Sequence, residues 1–255
     1  MTRSLLIALI LITTFAATTT GQAATLHQVI PGTTQNVPAI ATYKTTGELM
    51  AGMKVTVFFS NAPDETVSWA ATGGPDEGAA VGAMGDWSVI QSGDTFLNPW
   101  KLRYEQTGKG RLTGLRFDGL AAGVVSNSVL FDREQDFSGD FDGTPDSEKG
   151  EDFVTSPNPY PAWFDIMATY EDQVKVDSDA LGPRGDLFRI LDIRFFSQDG
   201  LVAGTEAGLD GADLAEMVFW QDTDSTSLVP EPASCLLLGL GALLAGCFLG
   251  RPTTD

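Results

Sequence analysis

The amino-acid sequence predicts an all-β domain, an antiparallel β-sandwich of jelly-roll type. Three observations predict this fold class. Several short segments alternate apolar and polar residues with a period of two, which is typical of half-buried strands. Clusters of Gly, Pro, Asn and Asp separate these segments and mark turns. Only residues 211–217 offer the periodicity of one or two helical turns, and no repeat at a solenoid or propeller period is present.

The predicted strands follow one another between residues 54 and 221. They cover residues 54–59, 86–90, 112–117, 124–131, 162–170, 187–196 and 215–221. Turn signals at residues 61–64, 73–76, 108–110 and 182–185 punctuate the series. In residues 187–196 we expect Phe188, Ile190 and Ile193 on one face, with the arginines and aspartates on a solvated face. The pattern predicts a single two-layered domain over residues 25–224.

The N-terminus has the order of a secretory signal peptide. Arg3 precedes an apolar stretch over residues 5–12, and small or hydroxylated residues then lead to Ala23 and Ala24. We expect residues 1–24 to be removed, with cleavage after Ala23 or Ala24. The domain that follows is therefore expected outside the cytoplasm.

Residues 225–255 are predicted to be a tether followed by a processing signal. The hydrophilic sequence that leads into the tether already begins at Asp222, within the last residues of the predicted domain. Val229, Pro230, Glu231 and Pro232 precede an uncharged apolar run over residues 235–249, and Arg251 follows it. As a helix the run would cover roughly 22 Å, less than the ~30 Å hydrocarbon core of a bilayer. The two prolines hold the Pro-Glu-Pro strip extended. An ordinary C-terminal membrane anchor is the alternative.

This tail resembles the PEP-CTERM sorting signal of Gram-negative bacteria, whose members are substrates of membrane enzymes called exosortases. The resemblance covers residues 229–251, with the motif at 229–232 and a transmembrane helix at 235–250. The family usually ends in a cluster of arginines, whereas Arg251 stands alone here. The resemblance implies an exosortase-like partner, transient anchoring in the inner membrane, and delivery to the cell surface or the exopolysaccharide matrix.

Charge and cysteine content limit the function classes further. The chain has 34 acidic and 15 basic residues, a formal net charge of −19, and nearly all of these charges lie between residues 25 and 228. Nucleic acid and anionic membrane surfaces are poor partners for such a domain, because both need clustered cations. Cys235 and Cys247 would lie ~18 Å apart on the C-terminal helix, too far for a disulfide. The domain must therefore be stable through its hydrophobic core.

Residues 132–152 form an acidic segment that predicts a calcium site. It holds nine acidic and two basic residues together with glycines that permit tight loops. Calcium takes several oxygen ligands from flexible, carboxylate-rich loops. A helix-flanked calcium loop does not fit, because Lys149 would occupy the position of its bidentate ligand. The expected ligands come from Asp136, Asp140, Asp142 and Asp146, and the alternative is a solvated acidic loop without metal.

Two tryptophans beside loops suggest a second ligand class. Trp100 follows Asn-Pro, and Trp163 closes a Pro-Tyr-Pro-Ala-Trp stretch. Aromatic faces at loop ends can stack on sugar rings, which would suit a matrix polysaccharide. The alternative is that both indoles are buried in the core of the sandwich.

Catalytic motifs are missing from the sequence, so we do not expect an enzyme. The single histidine, His27, lies at the start of the exported domain, and no Gly-x-Ser-x-Gly, His-Glu-x-x-His or phosphate-binding Gly-rich motif occurs. A zinc site is disfavoured because the exported domain has no thiolate and no second imidazole. The sequence predicts a structural or adhesive role. The alternatives are a carbohydrate-binding, calcium-dependent module of the biofilm matrix and, less favoured, a secreted carbohydrate-active enzyme.

Overall fold

The computed structural model describes residues 25–30, 35–37, 40, 44–105, 108–119, 128–133, 150–156, 164–176, 187–197 and 215–226. Within these ranges the chain is all-β, with one 3-10 turn at Gly47–Met50 and no α-helix. No helix in the same ranges is both long and apolar enough to cross a membrane. The predicted signal peptide and C-terminal helix lie outside the described residues.

The larger sheet contains nine of the described strands. Its main path runs through β1 (Thr25–Ile30), β12 (Phe164–Val176), β13 (Leu187–Ser197), β9 (Leu112–Asp118), β3 (Lys54–Phe59) and β4 (Glu65–Ser68). Strand β2 (Gln35–Val37) also pairs with β12. Strand β10 (Ser128–Asp132) joins β13 to β15 (Asp222–Thr226).

The smaller sheet contains six described strands, and all of its pairings are antiparallel. Its order is β11 (Val154–Thr155), β14 (Ala215–Trp220), β8 (Trp100–Tyr104), β7 (Trp87–Ser92), β6 (Glu77–Val81) and β5 (Ala70–Ala71). The 3-10 turn lies against this sheet, where the Trp69 indole donates to the Gly47 carbonyl at 2.7 Å.

One hydrophobic core joins the two sheets, an arrangement consistent with a β-sandwich. Strand β3 shows why these residues form strands, because Val55 and Val57 are fully buried while Lys54 and Thr56 are only partly buried. Strand β8 alternates in the same way between buried and exposed residues. Alternate side chains of a strand point to opposite faces, so this period places one apolar face of each sheet toward the other.

Most of the predicted strands are confirmed, and β3 has the predicted bounds. Within β13, however, the predicted core face is only partly right. Leu191, Ile193 and Phe195 alternate into the core. Phe188 also lies in the core, although it does not follow the alternation of these three residues. Ile190 is buried but lies outside the main core cluster. The polar face is not simply solvated either, since Asp192 is buried and ion-paired.

The outer face of the larger sheet carries a ladder of ion pairs. Arg116 on β9 contacts Glu171 on β12 at 2.7 Å and Asp192 on β13 at 3.1 Å. Arg189 on β13 pairs with Asp118 on β9 at 2.8 Å. These pairs join β9 to the adjacent β13 and, across β13, to β12, and such opposite charges stabilise a sheet face that remains polar.

Two expectations about the chain ends need correction. The larger sheet is mixed, because β1 and β2 both run parallel to β12 along one of its edges. The segment Asp222–Thr226, whose first residues we expected in a hydrophilic tether, is instead strand β15, and all five residues are buried. A sequence of Asp, Thr and Ser suggests a solvated linker, but pairing with β10 satisfies its main chain and brings it into the fold.

Candidate metal centre

Three aspartates lie together where β10 and β15 pair. The antiparallel register sets Asp132 opposite Asp222 and Leu130 opposite Asp224. Residues directly opposite each other, and residues two apart on one strand, share a face of the sheet. Asp132, Asp222 and Asp224 therefore share one face. Their neighbours Val129 and Phe131 point the other way, into the main core.

The carboxylates are close to one another and shielded from water. One oxygen from each of the three residues lies within 4.8 Å of the others. The residues are 1%, 2% and 1% exposed, in the order Asp132, Asp222 and Asp224. Like charges at such separations, taken out of water, strongly disfavour the fully ionised state unless a cation or protons compensate them.

Asp222 is held in place by hydrogen bonds to one of its oxygens. The Thr95 hydroxyl donates to Oδ1 at 2.9 Å, and the main-chain N–H of Thr223 donates to the same atom at 2.8 Å. Desolvation by burial nevertheless raises the pKa of the Asp222 carboxyl to about 7, with Asp94 and Glu151 adding to the increase. The two hydrogen bonds act in the opposite direction but are outweighed.

Two further carboxylate oxygens in the cluster are buried without a hydrogen bond. They are Oδ1 of Asp132 and Oδ2 of Asp224. Asp132 and Asp224 also make other interactions. Buried oxygens without a donor are uncommon in folded proteins, and a bound ion can supply the missing positive partner.

The ends of the acidic segment 132–152 meet beside this cluster. Arg133 donates two hydrogen bonds to the Asp152 carboxylate, at 2.7 and 2.9 Å. Gly150 lies so close that a side chain there would come within 2.6 Å of Asp132 Oδ1. A side chain at position 150 would therefore collide with this carboxylate and with the Arg133 main chain.

A buried polar network anchors the start of β15. The main-chain N–H of Phe153 donates to the Tyr170 hydroxyl at 2.8 Å, and that hydroxyl donates to Gln221 Oε1 at 2.6 Å. Gln221 Nε2 in turn faces the main-chain carbonyls of Asp132 at 2.9 Å and Glu151 at 3.1 Å. One side-chain amide thus joins the two ends of the acidic segment.

His27 lies on β1 near the same segment, and both of its ring nitrogens face oxygen atoms of described residues. Its Nε2 faces the Phe153 carbonyl at 2.8 Å, and its Nδ1 faces Asp152 at 3.3 Å. A carbonyl oxygen can only accept a hydrogen bond, so Nε2 must carry a proton. This nitrogen is therefore engaged with main chain rather than with a nucleophilic side chain.

The residues predicted from sequence to bind a ligand or to form the sorting motif are not the three aspartates of this cluster. Trp100 is 1% exposed, stacks on Phe219 at 5.7 Å between ring centroids and meets Trp69 edge-on at 5.4 Å. No face of its indole is open to a sugar, which corrects the sugar-contact hypothesis for this residue. The other predicted residues lie outside the described residues: Trp163, Asp136, Asp140, Asp142, Asp146, Val229, Pro230, Glu231, Pro232 and Arg251.

Among the described residues of the acidic segment, Asp132 belongs to the cluster. Asp222 and Asp224 were missed because about ninety residues of sequence separate them from Asp132. The available signal was their spacing, since an Asp-x-Asp pair on a strand places both carboxylates on one face. Three carboxylates without thiolate or imidazole are hard oxygen ligands, suited to calcium or magnesium rather than zinc.

No protein-family model, curated protein or solved structure matches the chain.

Proposed function

We propose that this chain is an exported bacterial protein with a structural or adhesive role, delivered to the cell surface or the exopolysaccharide matrix by an exosortase-like system. The observation that carries the proposal is the C-terminal order of Val229, Pro230, Glu231 and Pro232, an uncharged apolar run, and Arg251. We further propose that its exported domain is a β-sandwich of jelly-roll type.

The position of the last described strand supports removal of the tail. Strand β15 ends at Thr226, and the sorting motif begins three residues later at Val229. Cleavage after Pro232 would therefore leave every described strand in place. Delivery of a stable domain requires that the domain keep its fold after the tail is removed.

Three of the four described tryptophans favour a structural role over sugar binding, and the fourth, Trp220, is partly exposed. Trp69, Trp87 and Trp100 are each 1% exposed and belong to the core shared by the two sheets. Each of their indole N–H groups already has a protein acceptor. These side chains stabilise the domain and offer no stacking surface to a polysaccharide.

The test follows the tail through processing in a host that carries an exosortase-like enzyme. We expect surface material from the wild-type chain to have a mass that lacks the apolar run. Glu231→Ala should leave the full-length C-terminus in the membrane fraction, because the recognition strip is altered. Glu105→Ala, which removes an exposed glutamate from the domain, is the matched control and should be processed normally. Retention of residues 235–255 in wild-type surface material would overturn the proposal.

A further inference from the structure

We infer that Asp132, Asp222 and Asp224 bind one divalent cation, calcium, which fixes strand β15 to β10. The inference rests on the described side chains and not on the proposed destination of the protein. The three residues come from both strands of one pair, so an ion held by all of them joins the two strands. No other element has to move for the three ligand atoms to share an ion, since they already lie within 4.8 Å of one another.

Burial makes the cluster more than an acidic patch. Exposed carboxylates are common without a metal, but all three of these residues are at most 2% exposed. Asp132 Oδ1 and Asp224 Oδ2 are fully buried and accept no hydrogen bond. An ion would give both atoms the positive partner that their burial requires.

Described contacts fix the groups around the cluster. The guanidinium of Arg133, the residue after Asp132, donates from Nε and Nη2 to Asp152. The Thr95 hydroxyl and the Thr223 N–H both donate to one oxygen of Asp222. These contacts orient the Asp222 carboxylate and hold the end of the acidic segment beside the cluster.

Calcium fits this donor set better than the alternatives. It accepts six to eight oxygen ligands in irregular geometry, including carboxylates, main-chain carbonyls and water. Magnesium demands a smaller, near-octahedral site and gives up water reluctantly. Zinc prefers the thiolates and imidazoles that this cluster lacks.

The experiment compares thermal unfolding of the full chain in chelator and in calcium. The test variant is Asp222→Asn with Asp224→Asn, and the control is Asp64→Asn with Asp76→Asn, which removes the same charge from exposed turns. We expect calcium to raise the Tm of the wild type and of the control, with a shift that grows with the logarithm of calcium concentration. The test variant should lose this shift.

The sign of the effect in chelator separates a metal site from a merely structural role. Without metal, the test variant should melt above the wild type, because two of the mutually repelling charges are gone. In calcium it should melt below the wild type. A variant that is less stable than the wild type under both conditions, by the same margin, would overturn the inference.

Calcium titration by calorimetry tests which residues bind the ion. If the double variant Asp222→Asn with Asp224→Asn does not fold, the single variant Asp132→Asn replaces it in this experiment. We expect one site, and at least a tenfold loss of affinity in Asp132→Asn. Asp140→Asn with Asp142→Asn tests the acidic segment. The inference is overturned if that pair abolishes calcium binding while the triad variants retain it, or if the wild type binds no calcium at millimolar concentration.

Discussion

At the scale of single residues, Trp100 shows how a side chain beside a loop can still belong to the core. Its ring lies between Trp69, Phe117 and Phe219, and its indole N–H donates to the Gln221 carbonyl at 2.9 Å. The hydrogen bond removes the cost of burying the polar edge of the ring. The same indole therefore packs in the core and connects β8 to the start of β15.

Replacing Trp100 tests this placement. Trp100→Ala should lower the free energy of unfolding by about 3–5 kcal/mol, because a large buried ring is deleted and a cavity remains. Leu97→Ala is the control; Leu97 is 70% exposed, and its change should stay within about 0.5 kcal/mol. Denaturant unfolding measures both. A Trp100→Ala protein as stable as the wild type would contradict the core assignment.

Asp222 gives a second residue-scale prediction, for protein kept in chelator. Its pKa rises from an ordinary 3.8 to about 7 in the folded state because burial disfavours the carboxylate. Between these values the folded chain binds a proton that the unfolded chain does not. Stability from this group is therefore fully present below about pH 4, falls as pH rises, and is lost above pH 7.

The difference in unfolding free energy between wild type and Asp222→Asn isolates that contribution. We expect the difference to favour the variant increasingly as pH rises from 4 to 7 and to level off above 7, since asparagine does not titrate. Denaturant unfolding at a series of pH values measures it. A difference that is flat over this range would show that Asp222 titrates normally.

At the scale of elements, β3 and β15 mark the limits of what the sequence could predict. Strand β3 alternates apolar and polar residues, and the alternation alone gave its bounds. Strand β15 has no apolar residue, so no periodicity distinguishes it from a linker. Its burial depends on β10 and on Gln221, contacts between residues far apart in the sequence.

The contact between Gln221 and Tyr170 should therefore stabilise β15. Gln221→Leu leaves the Tyr170 hydroxyl and several carbonyls without their partner, and each buried group left unsatisfied costs about 1–3 kcal/mol. Tyr170→Phe removes the other side of the same hydrogen bond. In a double-mutant cycle by denaturant unfolding, we expect the two losses to be clearly less than additive. Additive losses would show that the residues act independently.

At the scale of the whole molecule, the chain has a net charge of −19, but some of its acidic residues form ion pairs and are not simply spread over the surface. Arg116, Arg189 and Arg133 each engage carboxylates across neighbouring segments. Composition predicted an acidic domain, and the period-two alternation predicted the all-β class, which is confirmed. It could not predict which acids would be buried together, because that depends on strand order and register rather than on local sequence.

The pairing of the two ends of the described domain has a consequence for the timing of folding. Strand β1 pairs with β12, and β15 pairs with β10, so both ends join partners that lie far away along the chain. Contacts of this kind require large loops to close and make folding slow. A chain crossing a membrane from its N-terminus cannot complete this sheet until β15 has emerged. If the chain is exported as proposed above, we expect it to pass through the export channel unfolded and to close its larger sheet only as Val229 approaches the outer side.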